Sequence, residues 1–483
     1  MRIGVFFGAG YYLKYHATAL RPLVERGHEL VLARPEGARE VRVPKQLALA
    51  DGVSTALYPH LRDDGLAHTI KVLRVTRDVA RYGSPELRDA YANRRRAVRH
   101  LVRAVTGRRP AAGQDDLLPD LDPDAWATVS AVLADVERLI PPNRRLVDFF
   151  REQRLDAVVC ISRVNFRGEE ADVVKAARAA GVPCGISVYS WDNLSSKALL
   201  HEHPDRLFVW NDVQRDEAET LHGVAANRVV VTGAARFDPF FALSPSAPRE
   251  ELLRSLGLDP GAATVLYLGS SGFVSKREPE LVEQWLAALR ASGDERIRDA
   301  NVVVRPHPGA LDEPAWQGWR PAAERVVVPA VRKKSRQLFD HLWLSDAVVA
   351  LNTSAEIEAA IVGRPVLTVD AGELAPGQEG STHFRYLLAA HGGFVERARS
   401  LDEHVVQLER ALAEDPLRDA RSRFLASFVR PRGVERPVGP ILAEAIEALA
   451  RSIPAALGSA ANGENVGRSA ERREQLVDLA DGA

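Results

Sequence analysis

Short apolar runs recur along the chain, and each gives way to turn residues and then to a stretch with helical spacing. The first run is residues 3–7; Gly8-Ala9-Gly10 follows, then helical spacing over 12–26 that Gly27 stops, then a run over 29–33. Strand, turn, helix and strand in that order predict parallel strands covered by helices. The order resumes with strands at 156–161, 184–189, 206–210 and 228–232 and helices over 170–180 and 213–222. A further series places strands at 264–268, 301–305, 347–351 and 366–369, with a helix over 279–292. Residues from about 64 to 151 carry helical spacing, many arginines and no strand pattern, so they form a helical insertion. The expected organisation is α/β: a first domain over 1–240 that holds the insertion, and a second over 241–437. A closing helix over 438–452 follows, with Leu442, Ala445, Ile446 and Leu449 as its apolar face. Residues 453–483 lack large apolar periodicity and read as a disordered tail.

The stretch from Ala350 to Val369 is the most informative. The apolar run Ala347-Val348-Val349-Ala350-Leu351 suits a buried parallel strand. Asn352, Thr353 and Ser354 then offer capping side chains, and Thr353 with Glu356 fits a capping box in which the Thr oxygen takes a backbone N–H and the Glu reaches back. Gly363 and Pro365 stop the helix. A helix amino end at the C-terminal edge of a parallel sheet favours anions. Glu356 and Glu358, two residues apart, point to different sides of the helix. With Glu356 in the box, Glu358 is either a solvated side chain or a carboxylate for the two hydroxyls of a ribose.

Composition narrows the classes. The 483 residues are 46% hydrophobic and 27% charged, ordinary for a globular protein, and the formal net charge of −1 gives no basic field for nucleic acid. Arginine and alanine dominate throughout. Cys160 and Cys184 sit in apolar runs and read as small buried hydrophobes; no Cys/His metal spacing occurs. The amino terminus reads as a strand rather than a signal peptide, and no apolar run approaches a membrane span. A cytoplasmic protein is expected, with any membrane contact peripheral.

Other candidates cluster at strand ends. Gly269, Ser270 and Ser271 end one strand with amides and hydroxyls that suit a phosphate. Arg305-Pro306-His307-Pro308 ends another: Arg305 offers a forked donor, His307 a donor or proton carrier, and the prolines hold the loop. In the first domain, Trp191, Asp192, Asn193 and Lys197 follow the strand 184–189. Asp192 is a candidate general base if burial raises its pKa; the alternative is a turn in which Asp192 and Asn193 cap the next helix. Gly8 and Gly10 lack the third glycine of a dinucleotide fingerprint, and either let the backbone approach an acceptor or make a tight turn. His16 is a second candidate for the acceptor proton. The basic stretch 92–103 reads either as a solvated helix face or as a surface for an anionic membrane or polyanionic acceptor. Asp120 and Asp122 form an Asp-x-Asp pattern, but Pro123 after Asp122 reads better as a helix start. Arg236 and Asp238 read as a structural pair.

The run Glu358-Ala359…Gly363…Pro365 resembles the nucleotide-binding helix of the GT-B glycosyltransferase superfamily, which includes the sugar-nucleotide 2-epimerases such as UDP-GlcNAc 2-epimerase and the CDP-glycerol type glycerophosphotransferases. The Arg-Pro-His-Pro run is similar to a basic-Pro-His-Pro motif of the latter and of capsule polysaccharide transferases. The resemblance implies two Rossmann-like domains facing a cleft, with the nucleotide on the second. It implies that Glu358 holds the ribose, and that the loop 378–384, with Glu379 and His383, lies near the donor sugar or phosphates. The segment from Trp191 to Lys197 is similar in position to a Trp-His-Gly-Thr stretch whose His is a general base; Asp192 stands at that place and puts glycerophosphotransfer in doubt. The implied activity is metal-independent transfer from a UDP-, dTDP-, GDP- or CDP-linked sugar to a glycan, lipid-linked or small-molecule acceptor, with no cofactor. CDP-polyol phosphotransfer, sugar-nucleotide epimerisation and nucleotide binding without turnover are the alternatives.

Overall fold

The computed structural model describes residues 1–452 apart from 39, 49, 88, 109–121, 162, 163, 165, 167, 312, 332–334 and 380. The tail expected over 453–483 and Asp120 lie outside the described residues. Seven strands form one sheet: β1 (Arg2–Phe6), β2 (Glu29–Pro35), β3 (Val53–Tyr58), β4 (Ala157–Cys160), β5 (Cys184–Ser187), β6 (Arg206–Val209) and β7 (Val229–Val231), in the order β3-β2-β1-β4-β5-β6-β7. Six form the second: β8 (Thr264–Leu268), β9 (Asn301–Arg305), β10 (Val326–Val327), β11 (Ala347–Ala350), β12 (Val366–Val369) and β13 (Val395–Ala398), in the order β10-β9-β8-β11-β12-β13. Every pairing is parallel, so the carboxyl ends of all strands in a sheet share one edge. Both sheets are Rossmann-like, and the fold is α/β as expected.

Alternation along the strands sends side chains into two layers. In β1, Ile3 and Val5 pack with the helix Gly10–Glu25, while Phe6 packs on the opposite face against Phe149 and Phe150. Each sheet is thus buried on both faces, which is why its strands read as unbroken apolar runs.

The closing helix, Val438–Arg451, returns to the first sheet and packs Leu442, Ile446 and Leu449 beside the helix Gly10–Glu25. The approach is close: a Cβ on Gly439 would come within 2.2 Å of the Thr18 carbonyl oxygen. Asp238 fixes its start by accepting the N–H groups of Val438 (3.0 Å) and Gly439 (2.7 Å). Its ion-pair partner is Arg430 at 2.7 Å, which corrects the expected Arg236–Asp238 pair. Arg236 instead lies over the rings of Tyr15, Tyr189 and Phe237, at 5.0, 5.2 and 5.1 Å.

The insertion holds the helices Ala67–Ala80, Tyr91–Thr106, Pro123–Leu139 and Arg144–Glu152, with no strand among its described residues. Asp122 caps the third of these by accepting the Ala125 N–H at 2.7 Å, with Pro123 as its first residue, as its sequence suggested. A buried charge network ties the insertion to the helix Glu169–Ala180. Arg74 donates to Glu137 (2.9 Å), to Asp172 (2.9 Å) and to the Gly168 carbonyl (2.8 Å), and Lys175 reaches Glu137 at 3.2 Å. No described helix is long and apolar enough to cross a membrane.

Candidate functional site between the two sheets

A cleft of about 370 Å³ lies between the two sheets, within the size range of small-molecule sites. Its first-sheet wall carries Tyr189, Trp191, Asp192 and Lys197, from the loop that ends β5. Its second-sheet wall carries Ser271 after β8, His307 after β9, Thr353 and Ser354 after β11, and His383. The walls touch. The Trp191 ring meets His383 edge to face at 4.6 Å, and the Tyr386 hydroxyl donates to Glu217 across the gap at 2.6 Å.

The loop after β11 is organised by a buried carboxyl. The helix there is Ala355–Val362, and Glu356, fully buried, accepts the Thr353 N–H at 2.7 Å. The other half of the expected capping box differs: the Thr353 hydroxyl accepts from Ala355, at 3.4 Å, and not from the residue after it. Burial pushes the Glu356 carboxyl up to about 8, against the pull of the Thr353 N–H. A glutamate that stays protonated in the fold and ionises normally when unfolded makes the folded state lose stability as pH rises from about 4.5 towards 8. Glu356→Gln keeps the accepting oxygen and removes that ionisation. The variant is therefore expected to melt close to the parent at pH 5 and above it at pH 8; parallel melting-against-pH curves would show that Glu356 ionises as an ordinary surface group.

Asn352, just before this helix, has φ of 138°, a conformation rarely adopted by side-chain-bearing residues. Its amide nitrogen is held by the Gln378 carbonyl (3.2 Å) and the Ser381 hydroxyl (2.8 Å), and the residue lines the cleft. Strain that the surroundings over-determine in this way is concentrated at ligand sites. Nothing in the sequence singled Asn352 out beyond its capping chemistry.

Glu358 lies two residues on from Glu356 in the same helix and is not among the residues that line the cleft. It is half-buried and makes no hydrogen bond or ion pair within 4.0 Å among the described residues. Burial pushes its carboxyl up, against the attraction of Arg236, Arg305 and Lys14, two of them from the first-sheet side. Arg305 lies behind the cleft rather than in it; it donates to Gln337 at 3.0 Å and approaches His341 Nδ1 at 3.3 Å. His307 does line the cleft, and its Nδ1 accepts the Gly309 N–H at 2.9 Å, so in the neutral ring the proton is on Nε2. Gly269 lets this loop sit close: its Cβ would lie 2.8 Å from the His307 nitrogen.

The Gly-Ser-Ser loop is less open to an anion than its composition suggested. Gly269 donates its N–H to the Arg305 carbonyl at 2.8 Å, and Ser270 donates its N–H to Glu278 at 2.8 Å. Burial raises that carboxyl to about 7, against the Ser270 N–H. Only Ser271 of the three faces the cleft.

Asp192 corrects the expectation of a raised pKa. Burial does push its carboxyl up, but the Lys197 ammonium at 2.6 Å outweighs that, aided by His383 only where its ring is protonated at acid pH, and holds it well below the usual carboxylate range. A carboxylate held so low takes up a proton poorly. The expected cap of the next helix, Asn193–Ser196, is not made either: Asp192 makes no side-chain cap bond, and the Asn193 side-chain oxygen accepts instead from the preceding Tyr189 (3.2 Å) and Ser190 (3.1 Å). His383 stays neutral, because burial lowers its imidazole to about 4 against the nearby Asp192.

Four other sequence candidates fall outside the cleft. His16 is buried, with its ring nitrogens 2.9 Å from the Tyr12 carbonyl and 3.2 Å from the Ser187 hydroxyl, and burial lowers it to about 4. Glu379 is exposed and pairs with Arg397. Gly10 is packed against Val41, 2.4 Å from where its Cβ would be, so it serves helix packing; Gly8 is exposed with open space around it. Among the described residues, no group of three or more His, Cys, Asp or Glu could hold a metal ion.

Two residues of the insertion enter the site unannounced. Asn93 and Arg96, on the helix Tyr91–Thr106, line the cleft, so at these two positions the stretch 92–103 is not a solvated or membrane-facing surface, while its reading as a surface for a polyanionic acceptor stands as a proposal.

Two parallel Rossmann-like sheets, a cleft between the carboxyl edges of their strands and a final helix that crosses back to the first sheet define the GT-B fold, and this chain has it. UDP-GlcNAc 2-epimerase from Methanocaldococcus jannaschii superposes with a TM-score of 0.50 at 10% identity, covering 93% of this chain and 100% of that one. Anabaena HepE in complex with UDP gives 0.48 at 11% identity, covering 93% and 99%. In sequence, 156 residues are 31% identical to the dTTP/UTP pyrophosphatase of Aromatoleum aromaticum, 32% of this chain and 70% of that protein. Most of the chain lies outside that likeness, so it does not account for the two-sheet architecture. No family model matches.

Proposed function

We propose that the protein is a glycosyltransferase that moves a sugar from a nucleotide-linked donor to an acceptor, with the donor held by the second sheet. One observation carries this reading. A helix amino end with Thr353 and Ser354, together with His307 and Ser271, lines one cleft, whose other wall is Trp191, Asp192 and Lys197. The first group suits the leaving diphosphate, where negative charge grows as the sugar departs. Glu358, half-buried and with no hydrogen bond or ion pair within 4.0 Å among the described residues, suits the two hydroxyls of the ribose. On the acceptor wall, Asp192 holds Lys197 in place rather than acting as a free base, and Trp191 excludes water.

The test is equilibrium binding of UDP, the nucleotide in the structure of the similar HepE, to the parent and to Glu358→Ala. The variant is expected to lose about 1.5–3 kcal/mol, the usual worth of hydrogen bonds to a charged group. Equal affinity of the two proteins would remove Glu358 from the site. The sequence likeness to a dTTP/UTP pyrophosphatase supports a second reading, hydrolysis of a pyrimidine nucleoside triphosphate. Release of pyrophosphate from UTP, without consumption of any UDP-linked sugar, would favour it over transfer.

A further inference from the structure

The helical insertion does more than decorate the first sheet. Its helix Tyr91–Thr106 reaches the second sheet's side of the cleft at two points: the Tyr91 hydroxyl donates to the Pro376 carbonyl at 3.4 Å, and the Arg96 guanidinium lies 5.9 Å from the centre of the Phe273 ring. The helix therefore roofs the cleft. Asn93 and Arg96 are three residues apart, so they project from one face of it. Both line the cleft on the same side as Lys197.

Asn93 is the telling residue. It is 1% exposed, and its side-chain nitrogen is buried with no hydrogen-bond partner among the described residues. A buried amide donor left unpaired costs free energy, and such groups in folded proteins generally have a partner, protein or otherwise. Beside it the described lining carries two cationic side chains, Arg96 and Lys197, against one anionic, Asp192. Asp192 is already occupied by Lys197 at 2.6 Å. Side-chain donors thus converge on the first-sheet wall, opposite the helix amino end and His307.

We propose that Asn93 and Arg96 of the insertion bind an anionic group, a phosphate, on the acceptor, and so select phosphorylated acceptors over neutral ones. The reading of the phosphate as part of the acceptor rests on the transferase proposed above; the anion site itself does not. Arg96 supplies a guanidinium charge at the lining, and Asn93 a buried donor that has no hydrogen-bond partner among the described residues. The phosphate can belong to a soluble ester or to a lipid headgroup, since both present the same oxygens.

The experiment is a calorimetric titration of the full chain with glycerol 3-phosphate, with glycerol as the neutral control and phosphatidylglycerol vesicles as a second arm. Glycerol 3-phosphate is expected to bind and glycerol not to bind. Arg96→Gln and Asn93→Asp are each expected to weaken binding by about tenfold or more, the scale of one charge-assisted hydrogen bond. Asn93→Asp keeps the shape of the side chain and replaces the donor with a negative charge, and melting curves confirm that each variant is folded. Arg96→Lys, which keeps charge without the fork, is expected to fall between the parent and Arg96→Gln. Tighter binding in the vesicle arm than in the soluble arm, lost in the same variants, assigns the phosphate to a lipid. No binding of either phosphate by the parent, or binding that the two variants leave unchanged, overturns the proposal. UDP affinity, measured in parallel, is expected to be the same in the parent and in both variants. Loss of UDP binding in the parent with retention of an Asn93-dependent phosphate site would reject the transferase reading and keep the anion site.

Discussion

Arg74→Met is expected to cost about 3–5 kcal/mol of folding free energy, the usual result of breaking a buried ion pair from one side. Arg74 is 1% exposed and Glu137 is fully buried. The guanidinium divides its donors between Glu137, Asp172 and the Gly168 carbonyl, so its removal leaves two carboxylates and a carbonyl without their shared partner. Lys175, at 3.2 Å, retains part of the hold on Glu137. The loss follows from leaving charges stranded rather than from the pair being intrinsically strong. Replacing Arg74 and Glu137 together by Met is therefore expected to cost less than Arg74→Met alone. Urea unfolding followed by circular dichroism measures both. A loss below about 1 kcal/mol for Arg74→Met would place the network on the scale of surface ion pairs. The effect should reach the cleft, because the helix that carries Arg74 also supports the loop of Asp192. Arg81 donates to the carbonyls of Leu194 (2.8 Å), Lys197 (3.1 Å) and Ala198 (3.2 Å), and Asp78 accepts the Leu199 N–H at 2.7 Å.

The strands in the middle of both sheets were legible because they are buried on both faces. β8 and β9 fall on the residues expected, and β1, β4, β5, β6 and β11 begin or end within a residue or two of them. Three strands were not read at all: β3, β10 and β13. Each is an edge strand in the observed order and partly exposed: β3 and β13 mix polar and apolar residues, and β10 is only two valines long, so none presents the continuous run of a buried strand. The second half of the site followed the same logic. Strand ends and the helix after β11 are local features, and they brought Ser271, His307, Thr353 and Ser354 to one cleft. What failed was the choice of partner for each polar group, even within a few residues of it. Lys197 sets the state of Asp192, Glu278 takes the Ser270 amide, and Arg397 takes Glu379. Asn93 and Arg96 lie in the basic stretch 92–103, but nothing in that stretch marked these two for the cleft, because their place there depends on a helix laid across it by the packing of an insertion.

His307→Ala is expected to lower turnover of the proposed transfer by about 10²–10³-fold, the range found when one donor to a developing negative charge is removed. The residue is held for such a role before any ligand arrives. Pro306 and Pro308 fix the backbone on either side, Gly269 admits the loop against β8, and the Gly309 N–H is directed at Nδ1. With Nδ1 accepting, the neutral ring presents Nε2–H as a donor. In the proposed transfer that tautomer would serve as a donor to the departing diphosphate rather than as a base toward an acceptor. A donor acts mainly as charge grows in the transition state, so UDP affinity should change far less than turnover. His307→Gln separates the two roles. Its side-chain amide still offers an N–H, so it should retain more activity than His307→Ala if His307 is a donor, and should be no better than His307→Ala if the ring is a base. The comparison requires steady-state rates with a UDP-linked sugar and the acceptor found to be used, together with UDP binding for each variant. Turnover near that of the parent in His307→Ala would shift the stabilisation of the leaving group to the helix amino end at Ser354, with Arg305 behind it.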